Sequence, residues 1–216
     1  MRVKLYHFPM SPPSRGALLA ARAVGVPIEV VFIDLLKKEQ LNEDFVKINP
    51  QHCIPTLDDD GFILWESRAI ACYLADKYAK NDQLYPKDLK KRAIINQRLY
   101  FDSSFLFVKI RGIFFPILFQ GKTTIDKAAK DDLNTTLGFL EKFLSDNIWV
   151  AGDNYTIADT SIYASVSSLV ATGWDISLFP NIKRWLNECS SLPGYAENAD
   201  GAKTYGEAVK RNLAQK

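Results

Sequence analysis

Residues 49–78, "NPQHCIPTLDDDGFILWESRAIACYLADKY", decide the fold. Asn49-Pro50 closes whatever precedes it, because the residue before a proline is pushed out of helical conformation. Two strand-like runs follow, on either side of Asp60-Gly61, a dipeptide suited to the tight turn of a hairpin. From Glu66 to Tyr78 the apolar residues Ile70, Tyr73, Leu74 and Tyr78 recur at helical spacing. The stretch is therefore a hairpin that runs directly into a helix, with a proline at the head of its first strand.

Upstream, residues 3–8 predict a strand, and 14–24, "SRGALLAARAV", a helix stopped by Gly25. "PIEVVFIDL" alternates like a strand and "NEDFVKIN" predicts a short helix. The first eighty residues thus run β-α-β-α-β-β-α. Downstream the strand signal disappears. Periodic segments lie near 88–120, 125–145, 156–171, 180–191 and 200–212, and the composition changes at "AKNDQLYPKD". We expect an α/β domain over 1–80, a linker over 81–87 and an all-helical domain over 88–216. In "NYTIADTSIYAS", Thr156 stands three residues before Asp159, ahead of an apolar run. That spacing predicts a capping box with a folding role.

Bulk properties narrow the function. Of the 216 residues, 47 % are hydrophobic and 24 % charged, a balance that argues for a folded globular chain. A net charge of +2 gives no reason to expect a nucleic-acid partner. Cys53, Cys72 and Cys189 form no CxxC pair and are odd in number, which argues against a disulfide framework or a zinc site and for a reducing compartment. With only His7 and His52 available, no metal site is expected. The N-terminus lacks the pattern of a signal peptide, and no run approaches the length of a membrane span. A cytoplasmic location is expected.

Three places could carry chemistry, and each also has a plain structural meaning. Pro55 is either an ordinary loop proline or a cis proline that presents the Ile54 backbone to a ligand. Ser67 is either the cap of a helix or, with Glu66, part of a site for the two charged groups of an amino acid, with the carboxylate at the helix start and the ammonium on Glu66. In "SPPSR", residues 11–15, a serine either caps a helix opened by proline or offers its hydroxyl to a ligand. No GxSxG elbow surrounds Ser11, which argues against a Ser–His hydrolase. A hydroxyl at a helix start can instead hydrogen-bond a bound thiolate.

These residues resemble those of cytosolic glutathione transferases, most closely the arthropod delta class. The resemblance runs through "FPMSPPSR", "EDFVKINPQHCIPTLDDDGFILWESRAIACYLADKY", "KRAIINQRLYFD", "WVAGDNYTIAD" and "FPNIKRW", nearly the whole chain. It implies an N-terminal thioredoxin-like domain that binds glutathione and a helical domain that supplies most of an electrophile pocket. It implies Ser11 as the catalytic hydroxyl, with Ser14 at a position often occupied by cysteine. Gln40, His52, Cys53, Ile54, Pro55, Glu66, Ser67 and Arg68 are implied as the glutathione site, and Arg68 as a partner of Asp102. Gln40 departs from the pattern, since relatives commonly carry histidine there; a neutral amide can still donate. Phe107, Phe115 and Phe119 read either as helix core or as the electrophile pocket. Where relatives often carry tyrosine, Phe107 and Phe115 lack a hydroxyl, which predicts a preference for apolar electrophiles. The implied activity is conjugation of glutathione to hydrophobic electrophiles by a homodimer, without metal. Dehydrochlorination or hydroperoxide reduction would reuse the same thiolate. The alternative is a binding or structural module of the same fold with little catalysis, which would have no need of Ser11, Glu66 and Ser67 together.

Overall fold

The computed structural model describes residues 2–215; residues 1 and 216, the outer ends of the two expected domains, lie outside the described residues. Strands β1 (Val3–His7), β2 (Ile28–Phe32), β3 (Thr56–Asp59) and β4 (Phe62–Trp65) form one sheet in the order β2-β1-β3-β4. β1 and β2 are parallel, so the chain must cross over between them, and α1 (Pro12–Val24) makes that crossover. It ends where predicted, on Gly25 at φ 79°, whose N–H reaches the carbonyls of Ala21 and Arg22. The hairpin turn is also as expected: Asp60 and Gly61 both have positive φ, at 55° and 91°. Helices α2 (Glu43–Ile48) and α3 (Ser67–Tyr78) complete this half.

The register sets up the site. Tyr6 faces Thr56, Thr56 faces Trp65, and His7 pairs with Phe32. The C-terminal ends of β1, β2 and β4 and the start of β3 therefore share one rim of the sheet. Every loop that carries an expected glutathione residue leaves from that rim.

From residue 89 on, the structure is helical: α4 (Leu89–Phe101), a π turn at Asp102–Leu106, α5 (Phe107–Phe119), α6 (Lys127–Phe143), α7 (Ile157–Ala171), α8 (Pro180–Glu188) and α9 (Tyr195–Leu213). The architecture is the expected one, a mixed four-stranded thioredoxin-like unit followed by an all-helical half. α1 lies against α7 so closely that a Cβ on Gly16 would sit 3.3 Å from the Ser161 Cα. One apolar core runs through the contact, from Leu5, Leu19 and Leu57 to Ile110, Ile162 and Leu169.

The capping box forms as read. The Thr156 hydroxyl accepts from the Ala158 N–H, and Asp159 accepts the Thr156 N–H at 2.8 Å. Asp159 also accepts the Val150 N–H at 2.9 Å and the Trp185 Nε1–H at 3.0 Å, so one carboxylate anchors α7, α8 and the segment before them. Burial pushes its pKa up to about 6 against these hydrogen bonds, which pull it down. Removing the cap with Thr156→Ala is expected to cost about 1 kcal/mol of unfolding free energy. Asp159→Ala, which strands two buried donors as well, should cost about 3 kcal/mol. Urea midpoints compare the two, and equal losses would contradict the anchoring role.

Candidate active site

The loop between β1 and α1 brings Ser11 to the rim. Ser11 is the N-cap of α1, with its Oγ accepting the Ser14 N–H at 3.4 Å and its carbonyl accepting the Arg15 N–H at 3.0 Å. Pro12 and Pro13, the next two residues, have no N–H at all. The start of α1 is therefore closed, with no backbone donor left for a ligand. Ser11 Oγ already accepts within the protein, so its own proton is free to point outward. Ser14 is fully buried beneath it. Its Oγ accepts the Phe8 N–H at 3.2 Å and lies 2.7 Å from His7 Nδ1. Burial, helped by the nearby Arg15 charge, pushes the His7 pKa from 6.5 down to about 4, so the ring is neutral at neutral pH.

The loop before β3 contains the Ile54–Pro55 peptide bond in the cis form. Asn49, fully buried, braces this loop: its Nδ2 reaches the Cys53 carbonyl, the Cys53 Sγ at 3.3 Å and Thr56 Oγ1 at 2.9 Å. His52 is exposed with φ 42°, a left-handed conformation uncommon for a side-chain-bearing residue. In the segment after β2, the Gln40 side-chain oxygen is buried without a hydrogen-bond partner among the described residues. A buried polar atom of this kind calls for an explanation, and a ligand group at the rim would supply one.

At the start of α3 the structure corrects one expectation. Ser67 is not the cap. Glu66 occupies the N-cap, with φ 72° and no side-chain capping bond, and Ser67 is the first helical residue. The conformation of Glu66 is strained by roughly 1–3 kcal/mol. Because Glu66 does not cap, the N–H groups of Ser67, Arg68 and Ala69 have no acceptor among the described residues. α3 is open where α1 is closed. Glu66 itself is exposed beside this opening.

Behind it, Arg68 donates to Ser67 Oγ at 2.8 Å and, through Nε and Nη2, to Asp102 Oδ2 at 3.2 and 2.6 Å. Asp102, buried at the head of the π turn, also accepts from Ser161 at 2.6 Å and Ser165 at 2.9 Å. The Arg68–Asp102 pair was expected; its two serine partners on α7 were not. Phe107, Phe115 and Phe119 lie outside the core face of α5, which is formed by Ile110, Ile113, Phe114 and Ile117. Phe107 lies 5.4 Å from the Arg68 guanidinium, next to the opening of α3. The Phe115 and Phe119 ring centroids are 4.9 Å apart, and the Arg111 guanidinium lies 4.5 Å from the Phe115 ring. The row is thus not purely apolar, because a cation stands on it.

Residues 1–76 match the family model of the glutathione S-transferase N-terminal domain, and residues 94–193 that of the C-terminal domain. Glutathione S-transferase D7 of Drosophila melanogaster is 46 % identical over 198 residues, covering 91 % of this chain and 88 % of that protein. Among solved structures, glutathione S-transferase unclassified 2 from Bombyx mori superimposes with a TM-score of 0.96 at 67 % identity over 100 % of both chains. A delta-class glutathione transferase of Nilaparvata lugens does so with a TM-score of 0.94 at 45 % identity, over 97 % of this chain and 99 % of that one.

His7 yields a pH prediction. In the unfolded chain it takes a proton near 6.5, but in the folded one only near 4. The unfolded state therefore binds more protons between these values, and stability falls as the pH drops through that window. The advantage of the wild type over His7→Leu should shrink by up to about 3 kcal/mol from pH 6.5 to pH 4. A difference that does not change with pH, measured by urea unfolding, would contradict a neutral buried His7.

Proposed function

The chain belongs to the glutathione S-transferase family, and on that premise we propose how its residues conjugate glutathione to hydrophobic electrophiles. The observation that carries the proposal is the contrast between the two helix starts. The open N–H groups of α3, with the Ser67 hydroxyl, suit the α-carboxylate of the γ-glutamyl group, and Glu66 suits its ammonium. The Ile54 backbone, presented beside Pro55 and next to Cys53, pairs with the cysteinyl backbone of glutathione. His52 and Gln40 take the glycine end, and Arg68 supports the γ-glutamyl end through Ser67. The sulfur then lies at Ser11, whose outward proton is the one donor that the closed start of α1 leaves.

A free thiol with a pKa of about 8.5 is mostly protonated at neutral pH, and each unit by which the site lowers that value raises the thiolate fraction about tenfold until it saturates. Ser11 donates to the thiolate and forms no bond to substrate carbon. The thiol proton goes to solvent, the sulfur lone pair forms the C–S bond, and the leaving group departs with its electron pair or the electrophile takes up the charge. Holding both reactants side by side supplies the rest of the acceleration. The proposed step uses no metal ion. Phe107, Phe115 and Phe119 line the electrophile side, and the Arg111 cation beside them extends the pocket beyond purely apolar substrates.

In this account residues 1–80 bind glutathione, 81–87 link, and 88–216 supply most of the electrophile pocket. The protein works as a cytoplasmic homodimer. Among the described residues no helix is long and apolar enough to cross a membrane. The exposure of Tyr100 (71 %) and Phe105 (52 %), five residues apart at the end of α4 and in the π turn, supports the dimer, since large exposed aromatics mark contact surfaces.

Ser11→Ala is expected to lower the conjugation rate at neutral pH by about 10- to 100-fold with little change in glutathione affinity. Ser14→Ala should lower stability instead, because it empties a buried hydrogen-bonded position. If Ser14→Ala abolishes the rate and Ser11→Ala does not, the assignment is wrong. Light scattering after gel filtration should give a dimer for the wild type and a monomer for Tyr100→Glu combined with Phe105→Glu; a monomeric wild type would contradict the interface.

A further inference from the structure

One buried charge has no part in the chemistry above. Arg15, in the first turns of α1, is only 2 % exposed. Among the described residues no carboxylate lies within ion-pair distance of it. Its guanidinium meets four neutral oxygens instead: Asn198 Oδ1 on α9 at 2.9 Å, the Pro9 carbonyl at 2.6 Å, and on α7 the Ala164 carbonyl at 3.3 Å and Ser168 Oγ. A buried cation without a counter-ion is costly, and the hydrogen bonds to neutral oxygens offset only part of that cost.

Two features give this charge a direction. Pro9 stands two residues before Ser11, so the guanidinium fork ties the loop carrying the catalytic hydroxyl to α7 and α9. The packing is tight enough to demand glycine at position 201, where a Cβ would sit 2.5 Å from the Pro9 oxygen and 2.6 Å from Arg15 Cδ. Along α1, Arg15 follows Ser11 by one helical turn, and the Ser11 carbonyl accepts the Arg15 N–H.

The titratable groups around it do not cancel the charge. His7 on β1 is held neutral. Tyr163 on α7 and Tyr205 on α9 are both pushed up by burial, and so stay uncharged at neutral pH. Farther out, Glu197 is already paired with Arg22 at 2.8 Å. Burial lowers the pKa of Arg15 itself only to about 10, so it keeps its proton.

We propose that Arg15 is a positioning residue for Ser11, through which the helical half fixes the catalytic loop and places an uncompensated positive charge behind the glutathione thiolate. The proposal rests on Ser11 as the thiolate's donor. Its test is the ultraviolet absorbance of enzyme-bound glutathione thiolate followed against pH, in the full chain, for the wild type, Ser11→Ala, Arg15→Met and Arg15→Lys, alongside glutathione affinity and thermal stability.

Arg15→Met should raise the apparent thiol pKa by about one unit and cut the neutral-pH rate about tenfold, with glutathione affinity unchanged within about threefold. Arg15→Lys, which keeps the charge but not the fork, should return the titration toward the wild-type value even if stability does not recover. If Arg15→Met loses stability while the thiol titrates as in the wild type, Arg15 is a brace only and the proposal is overturned. If Arg15→Met does not fold, Asn198→Leu decides. It removes one acceptor of the fork and keeps the charge, and it should lower kcat with the KM for glutathione unchanged; an unchanged kcat overturns the positioning role. Ser11→Ala is the separate control. Should it titrate like the wild type, the Ser11 assignment fails whatever Arg15 does.

Discussion

A carboxylate buried without compensation would unfold this seam, and Asp102 is the carboxylate around which the two halves meet. It has no exposure and takes hydrogen bonds from Arg68 on α3 and from Ser161 and Ser165 on α7. It stands at the head of the π turn, where α4 ends, with α3 and α7 supplying its partners. Each partner is constrained in return. Arg68 cannot leave without stranding Asp102, so its remaining nitrogen stays on Ser67, at the opening of α3. The helical half thereby holds the sheet-bearing half in shape through fixed hydrogen bonds as well as apolar contact.

The two helix starts at the sheet rim then divide the work by what each leaves unsatisfied. α3 begins on a strained, non-capping Glu66 and keeps its first N–H groups available. α1 begins with two prolines and a serine that accepts from its own helix, and keeps only a hydroxyl proton. A site of this kind suits a ligand with an anionic end and a sulfur that needs one donor. The strain at Glu66 fits the general pattern in which unfavourable backbone is retained at functional positions and compensated by surrounding structure.

Much of this was legible in the sequence, for identifiable reasons. Gly25, Asp60-Gly61, Asn49-Pro50 and Thr156/Asp159 are local signals whose physics is decided within a few residues, and the structure follows each of them. Ser11 and Glu66–Arg68 drew attention because proline and polar residues at helix starts are distinctive. What was not legible depends on distant partners. Ser67 read as a cap because caps are common, and only the backbone of Glu66 displaces it. Asn49 gave no sign that it would brace residues 53–56 beyond the turn signal of its proline. Nothing local marks Arg15 for burial, which is decided by Asn198 and Gly201, almost two hundred residues away. Arg111 was hidden among the phenylalanines on either side of it.

The central claim is that the ligand sulfur lies at Ser11 while its γ-glutamyl carboxylate lies at the start of α3. A crystal structure of the protein with S-hexylglutathione tests both ends at once. The account predicts the sulfur within hydrogen-bond distance of Ser11 Oγ, the carboxylate on the N–H groups that open α3 and on Ser67 Oγ, and Ser14 still buried against His7. A sulfur placed against Cys53 or Ser14, or a carboxylate bound away from α3, would contradict it.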